Sequence, residues 1–147
     1  MTDCDCWKKA TMKKADRKEL AKYVRWLANE LGLRDWTITI HYGGISEDEF
    51  AVCSPTFGRK RADISLCEDF RDMEPVVQRH TLIHELLHCV FAQEQEFIRK
   101  DTKDIFGLTV WEVFFAAYTS MHEYAIDGVT DAIEAKYPLI QWPKANG

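Results

Sequence analysis

The chain has 147 residues, of which 46% are hydrophobic and 29% are charged, with a formal net charge of −5. This length and composition exclude a fibrous or intrinsically disordered protein, and we expect residues 1–147 to form a single domain with one hydrophobic core. No stretch approaches the roughly 20 apolar residues that a membrane-spanning helix needs, so a membrane is not expected as a partner.

The N-terminal part of the chain is strongly basic, and residues 7–25 contain eight lysine or arginine residues against two acidic ones. Runs of this kind are usually solvated helix faces, although some contact nucleic acid. We interpret the run as solvated, with residues 1–15 as a candidate disordered arm, and regard nucleic acid as a less favoured partner. The absence of an apolar signal segment and the odd number of cysteines favour a reducing, cytoplasmic location.

The first predicted elements are a helix and three strands. Residues 16–31 carry apolar side chains at helical spacing, with Asp16 and Gly32 as suitable residues to begin and end a helix. Three short segments then show the alternation and β-branched residues of strands: residues 36–42, 50–57 and 62–67. Pro55 lies in the second segment and predicts that this strand has an exposed edge.

Two further helices are predicted in the second half of the chain. The first begins at Pro75, which suits a first helical turn, and extends to about Phe91 or further. Residues 100–108 resemble a loop, and a long helix follows over residues 109–136. This order predicts an α+β fold in which a small, three-stranded, mostly antiparallel sheet packs with an N-terminal helix and two later helices.

The helix that begins at Pro75 contains His84-Glu85-Leu86-Leu87-His88, which is an HExxH motif. Residues four apart on an α-helix differ by about 40° around its axis, so both imidazoles point in one direction and are able to share a Zn²⁺ ion. Glu85 is placed to reach a zinc-bound water but is poorly placed to bind the ion itself. Apolar residues occupy the opposite side of the helix, so the motif is expected to face a cleft.

A catalytic zinc ion usually has three protein ligands and one open position. The long C-terminal helix offers Glu123 as the third ligand, because the small residues Ala116 and Thr119 on the same strip would allow two helices to approach closely. Asp127 lies one turn after Glu123 and is placed to hydrogen-bond to one of the two histidines, which would fix the orientation of that ring.

The combination of HELLH with a downstream E-x-x-x-D resembles the gluzincin branch of the HExxH zinc metallopeptidases. In size the chain is similar to the compact phage, bacterial and SprT-like domains with this motif. The resemblance implies a minimal zincin-like fold, Zn²⁺ as cofactor and a protein or peptide as substrate. It assigns His84, His88 and Glu123 as the metal ligands. Glu85 would be the general base, and Asp127 would orient one of the ligating histidines.

The resemblance also implies an edge strand beside the active-site helix that pairs with the substrate backbone, and residues 62–67 are the expected strand. No residue clearly matches the family's transition-state stabiliser. The residues considered for this role are Tyr118, His122, Tyr124 and Arg71, of which His122 is interpreted as a packing residue. Two functions therefore stand side by side: a zinc endopeptidase, and a catalytically silent module that binds a protein or a nucleic-acid-associated partner.

His80 lies one turn before His84 and extends the row of histidines on the predicted helix. Three histidines on one helix would spread over about 12 Å along its axis, which is too far apart for one ion. We therefore interpret His80 as a surface residue beside the cleft.

Overall fold

The structure is a computed structural model, and it describes residues 12–144. Four α-helices and three strands follow each other as α1 (Lys14–Glu30), β1 (Thr37–Tyr42), β2 (Ala51–Thr56), β3 (Arg61–Leu66), α2 (Pro75–Val90), α3 (Ala92–Phe106) and α4 (Leu108–Ile133). Short 3₁₀ turns lie at Phe70–Asp72 and Glu134–Lys136. The predicted α+β class, with an N-terminal helix and a long C-terminal helix, is confirmed.

The sheet has the strand order β1-β3-β2, and β3 is paired on both sides. It runs parallel to β1 and antiparallel to β2, so the sheet is mixed. After β1 the chain crosses to the other edge of the sheet and forms β2 there. The β2–β3 hairpin then brings β3 back between the two strands, parallel to β1. Ala62, Ile64 and Leu66 are almost completely buried, as expected for a central strand. The prediction that residues 62–67 form the edge strand is therefore wrong.

The edge strand that packs beside α2 is β2, in agreement with the prediction made from Pro55. Proline has no backbone N–H to donate to a neighbouring strand, so it is tolerated where its nitrogen faces away from the pairing partner. Cys53, two residues earlier, directs its own backbone N–H toward the same free edge, because amide directions repeat every second residue along a strand.

The hydrophobic core lies between the inner face of the sheet and helices α1 and α2. Its fully buried members include Leu20, Leu27, Ile64, Leu82 and Leu86. On α1 the basic residues lie on the opposite, solvent-exposed face, as the interpretation of the basic run required.

The N-terminal arm expected over residues 1–15 is shorter than that range. Helix α1 begins at Lys14, and Met12 is buried against the core, so residues 12–15 belong to the folded domain. Residues 1–11 lie outside the described part of the chain.

The predicted loop at residues 100–108 is helical as far as Phe106 and forms the end of α3. Its polar residues lie on the exposed face of this helix, while Thr102 is buried, so polarity alone gave the wrong prediction. The break occurs at Gly107, whose φ of 73° and ψ of 163° are accessible to few residues other than glycine. Between residues 12 and 144, no helix has both the length and the apolar character to cross a bilayer.

Alanine substitution at two glycines, Gly107 before α4 and Gly128 inside it, should change the free energy of unfolding in opposite directions. Gly107→Ala forces a side chain into a positive-φ conformation and is expected to lower the free energy of unfolding by about 1–3 kcal/mol. Gly128→Ala lies inside α4, where an added Cβ meets nothing within 4 Å, and should raise it by up to about 1 kcal/mol. Urea unfolding followed by circular dichroism measures both changes. Equal effects of the same sign would contradict the assigned backbone geometry.

Candidate metal centre

Helices α2 and α4 face each other in antiparallel orientation, with histidines on α2 opposite carboxylates on α4. His88 and His84 both contact Glu123, and His84 also contacts Asp127, one turn later on α4. Both rows repeat every four residues, which keeps their members on one face of each helix. The antiparallel arrangement therefore aligns successive turns of the two helices.

Three potential ligand atoms converge at the predicted site. The Nε2 atoms of His84 and His88 are 3.2 Å apart. Glu123 Oε2 lies 3.3 Å from the first nitrogen and 3.5 Å from the second. The three atoms form a nearly equilateral triangle that could hold a metal ion. The structure thus brings together the three residues that the sequence singled out as ligands.

Asp127 contacts the ring nitrogen of His84 that faces away from the triangle. Its Oδ1 lies 2.8 Å from His84 Nδ1, a distance typical of a hydrogen bond donated by the ring. A neutral imidazole donates from only one nitrogen, so His84 Nε2 then presents a lone pair to Glu123. Two groups that both accept hydrogen bonds are held against each other, an arrangement that a cation stabilises.

Glu85 follows His84 on α2 and is only 7% exposed. Burial raises the pKa of its carboxyl group from 4.5 to about 7, and the neighbouring His84 and a hydrogen bond from the Cys53 backbone oppose this shift. The free edge of β2 thus supplies the amide that holds Glu85. This contact was not predictable from the sequence, because nothing local to either residue indicates which strand lies beside the helix.

His88 is also largely enclosed, and burial lowers its pKa, while Glu123 acts in the opposite direction. The ring of His122 lies 5.9 Å from the His88 ring and stacks on Tyr118, with 5.5 Å between centroids. His122 is 8% exposed. It packs behind His88, in keeping with its interpretation as a packing residue.

The other residues considered as transition-state stabilisers are engaged elsewhere or point outward. Arg71 pairs with Asp16 and stacks over the ring of Trp142. Tyr124 is 83% exposed. The Tyr118 hydroxyl lies 3.4 Å from Glu94, and burial, aided by that carboxylate, raises its pKa to about 12. None of these three side chains is held at the triangle.

The three cysteines of the described region are free thiols, and none of them belongs to the triangle. The Sγ atoms of Cys53 and Cys89 are 3.6 Å apart, which joins β2 to the end of α2. That hydrogen bond and burial raise the pKa of the Cys53 thiol. Cys89 is buried, whereas Cys53 and Cys67 are only partly buried.

Access to the triangle is from the side of α4, where Glu123 and Asp127 remain 44% and 55% exposed. A separate cavity of about 570 Å³ lies at the C-terminal end of α2, between Trp36, Phe57 and Val90. None of the five candidate site residues lines this cavity. The metal-ligand cluster therefore lies outside this cavity, in an open cleft between α2 and α4.

No protein-family model matches the chain, and no curated protein or solved structure is significantly similar to it. Its functional assignment therefore depends on the residues and geometry of the site.

The raised pKa of Glu85 predicts a pH-dependent stability in protein treated with a chelator. Folded Glu85 keeps a proton that the unfolded chain releases between pH 4.5 and about 7. The free energy of unfolding should therefore fall as the pH rises through this window, by about 3 kcal/mol in total.

The Glu85→Gln variant has no carboxyl group to titrate at this position. Between about pH 5 and pH 8, its free energy of unfolding should therefore fall by about 3 kcal/mol less than that of the wild type. Denaturant unfolding at several pH values gives both curves. Parallel curves for the two proteins would show that burial does not hold Glu85 protonated.

Proposed function

We propose that this chain is a zinc-dependent endopeptidase, with His84, His88 and Glu123 as metal ligands and Glu85 as the general base. The observation that carries this proposal is the triangle of ligand atoms, with edges of 3.2, 3.3 and 3.5 Å. It is built from an HExxH helix and a carboxylate on a second helix, which is a donor set typical of catalytic rather than structural zinc.

The dimensions of the triangle suit a tetrahedral ion. Zinc bound to imidazole nitrogen and carboxylate oxygen at about 2.0–2.1 Å places neighbouring ligand atoms about 3.3–3.4 Å apart. The observed edges lie within 0.2 Å of that range. Residues 12–144 supply three ligand atoms here, so a fourth position of a tetrahedral ion would be left for a water molecule.

Zinc bound here would supply a Lewis acid that polarises a peptide carbonyl and makes a water molecule more acidic. Glu85 would accept a proton from the attacking water and deliver it to the leaving amine. A carboxylate held beside the metal site is the group type that commonly carries out both steps. Asp127 would hold the His84 ring in the tautomer that leaves Nε2 free.

The free edge of β2 supports a peptide as the substrate. It lies beside the helix that carries Glu85, and an extended peptide is able to add to such an edge through backbone hydrogen bonds. The Cys53 amide, which holds Glu85, belongs to this edge. Binding of substrate and positioning of the base would therefore share one strand.

A catalytically silent module that binds a protein partner is the second candidate. It is favoured by large apolar side chains on the outer surface of α3 and α4, including Ile105, Val113 and Met121, which are 74%, 71% and 73% exposed. Such residues are common at surfaces that contact other proteins. Proteolysis that is abolished by a chelator distinguishes the enzyme from the module.

The first test separates metal binding from turnover. Glu85→Gln should keep one zinc ion at the triangle and lower cleavage of casein by about 10²–10⁴-fold. His84→Ala with His88→Ala should lose both the ion and the activity. His41→Ala is the matched control, because His41 lies on β1 and pairs with Asp63.

Metal content by mass spectrometry and the release of peptides from casein are the two measurements. Wild-type turnover in Glu85→Gln would exclude the proposed base. Zinc binding without any cleavage by the wild type would favour the module.

The second test concerns Asp127. Asp127→Asn weakens its hydrogen bond to His84 and should lower zinc affinity about 10–100-fold. Asp104→Asn, which removes an exposed carboxylate of α3, should leave the affinity unchanged. Competition with a chromophoric zinc chelator measures both values. An affinity for Asp127→Asn equal to that of the control would show that Asp127 does not orient a ligand.

A further inference from the structure

A second cluster of nitrogen and oxygen ligands lies one helical turn from the triangle. His80 Nδ1 is 3.0 Å from Glu134 Oε2 and 3.6 Å from Asp131 Oδ1. The ligand atoms of these three residues all lie within 4.8 Å of one another. His80 comes one turn before His84 on α2, and Asp131 comes one turn after Asp127 on α4.

A simple ion pair accounts for only part of this cluster. A single Nδ1–H group donates well to one acceptor, and the 3.0 Å contact with Glu134 satisfies it. Asp131 approaches the same nitrogen at 3.6 Å, beyond hydrogen-bonding distance. Across residues 12–144, neither carboxylate forms an ion pair with a lysine or arginine. The second negative charge at this nitrogen is therefore not compensated within the described chain.

We propose that His80, Asp131 and Glu134 form a second binding site for a first-row divalent cation such as Zn²⁺ or Mn²⁺. An imidazole combined with two carboxylates is a donor set that such ions accept, and the imidazole distinguishes it from a surface group of acids alone. A cation would compensate both carboxylates at once. The proposal goes beyond the peptidase function and does not depend on it.

The second site is expected to bind more weakly than the triangle. The Asp131 side chain is 71% exposed, so water competes for it, whereas His84 and His88 are only 17% and 13% exposed. The ring nitrogen also differs between the sites. His80 would bind through Nδ1, whereas the triangle uses the Nε2 atoms of His84 and His88.

Counting bound ions tests the proposal. The full chain, titrated with Zn²⁺ in a calorimeter, should bind two ions, one tightly and one weakly. Asp131→Asn combined with Glu134→Gln should lose only the weak ion. Asp101→Asn combined with Glu112→Gln, which removes two exposed carboxylates elsewhere, should keep both ions. A wild type that binds only the tight ion, or an Asp131/Glu134 variant that binds two ions, would overturn the second site.

A separate variant distinguishes failure of this site from failure of the peptidase proposal. His84→Ala with His88→Ala should keep the weak ion and lose the tight one. Long-range ¹H–¹⁵N spectra of the wild-type imidazoles should then show a zinc-dependent shift of Nδ1 in His80 and of Nε2 in His84 and His88. A wild type that binds only the weak ion would contradict the triangle, whereas a His80 Nδ1 signal that does not respond to zinc would contradict the second site.

Discussion

The main physical constraint on this protein is the close approach of histidines on α2 to carboxylates on α4. Imidazole lone pairs and carboxylate oxygens repel one another unless protons or cations lie between them. At His84 the constraint is strongest, because the hydrogen bond to Asp127 turns the lone pair of the other ring nitrogen toward Glu123. A proton or a cation between these groups relieves that repulsion, so occupancy of this contact should influence how stably α2 packs on α4.

Local periodicity was sufficient to predict which side chains come together on the helices. The motif from His84 to His88 and the pair Glu123 and Asp127 each repeat after four residues, and an α-helix places such residues on one face whatever surrounds it. The helix beginning at Pro75 and the edge position of Pro55 were predictable for the same reason: proline restricts its own backbone wherever it occurs.

Features that depend on distant partners were not predictable in this way. The position of β3 inside the sheet follows from its parallel pairing with β1, which alternation along one strand does not encode. The contact between Cys53 and Glu85 depends on that strand order. Glu134 was missed because it lies beyond α4 in a 3₁₀ turn, where the spacing of the α-helix no longer applies. Polarity at residues 100–108 was mistaken for a loop because an exposed helix face has the same composition.

Helix α4 has two halves with different neighbours. Its 26 residues span about 39 Å, and the carboxylates that face α2 all lie in the second half. The first half packs on α3, where Phe106 contacts Phe114 and Lys103 lies over the ring of Trp111. Selection for cation binding would therefore act on one end of this helix and leave the other end free to diverge, provided that its packing on α3 is kept. Two related chains could in this way share the same chemistry while presenting quite different surfaces to their surroundings.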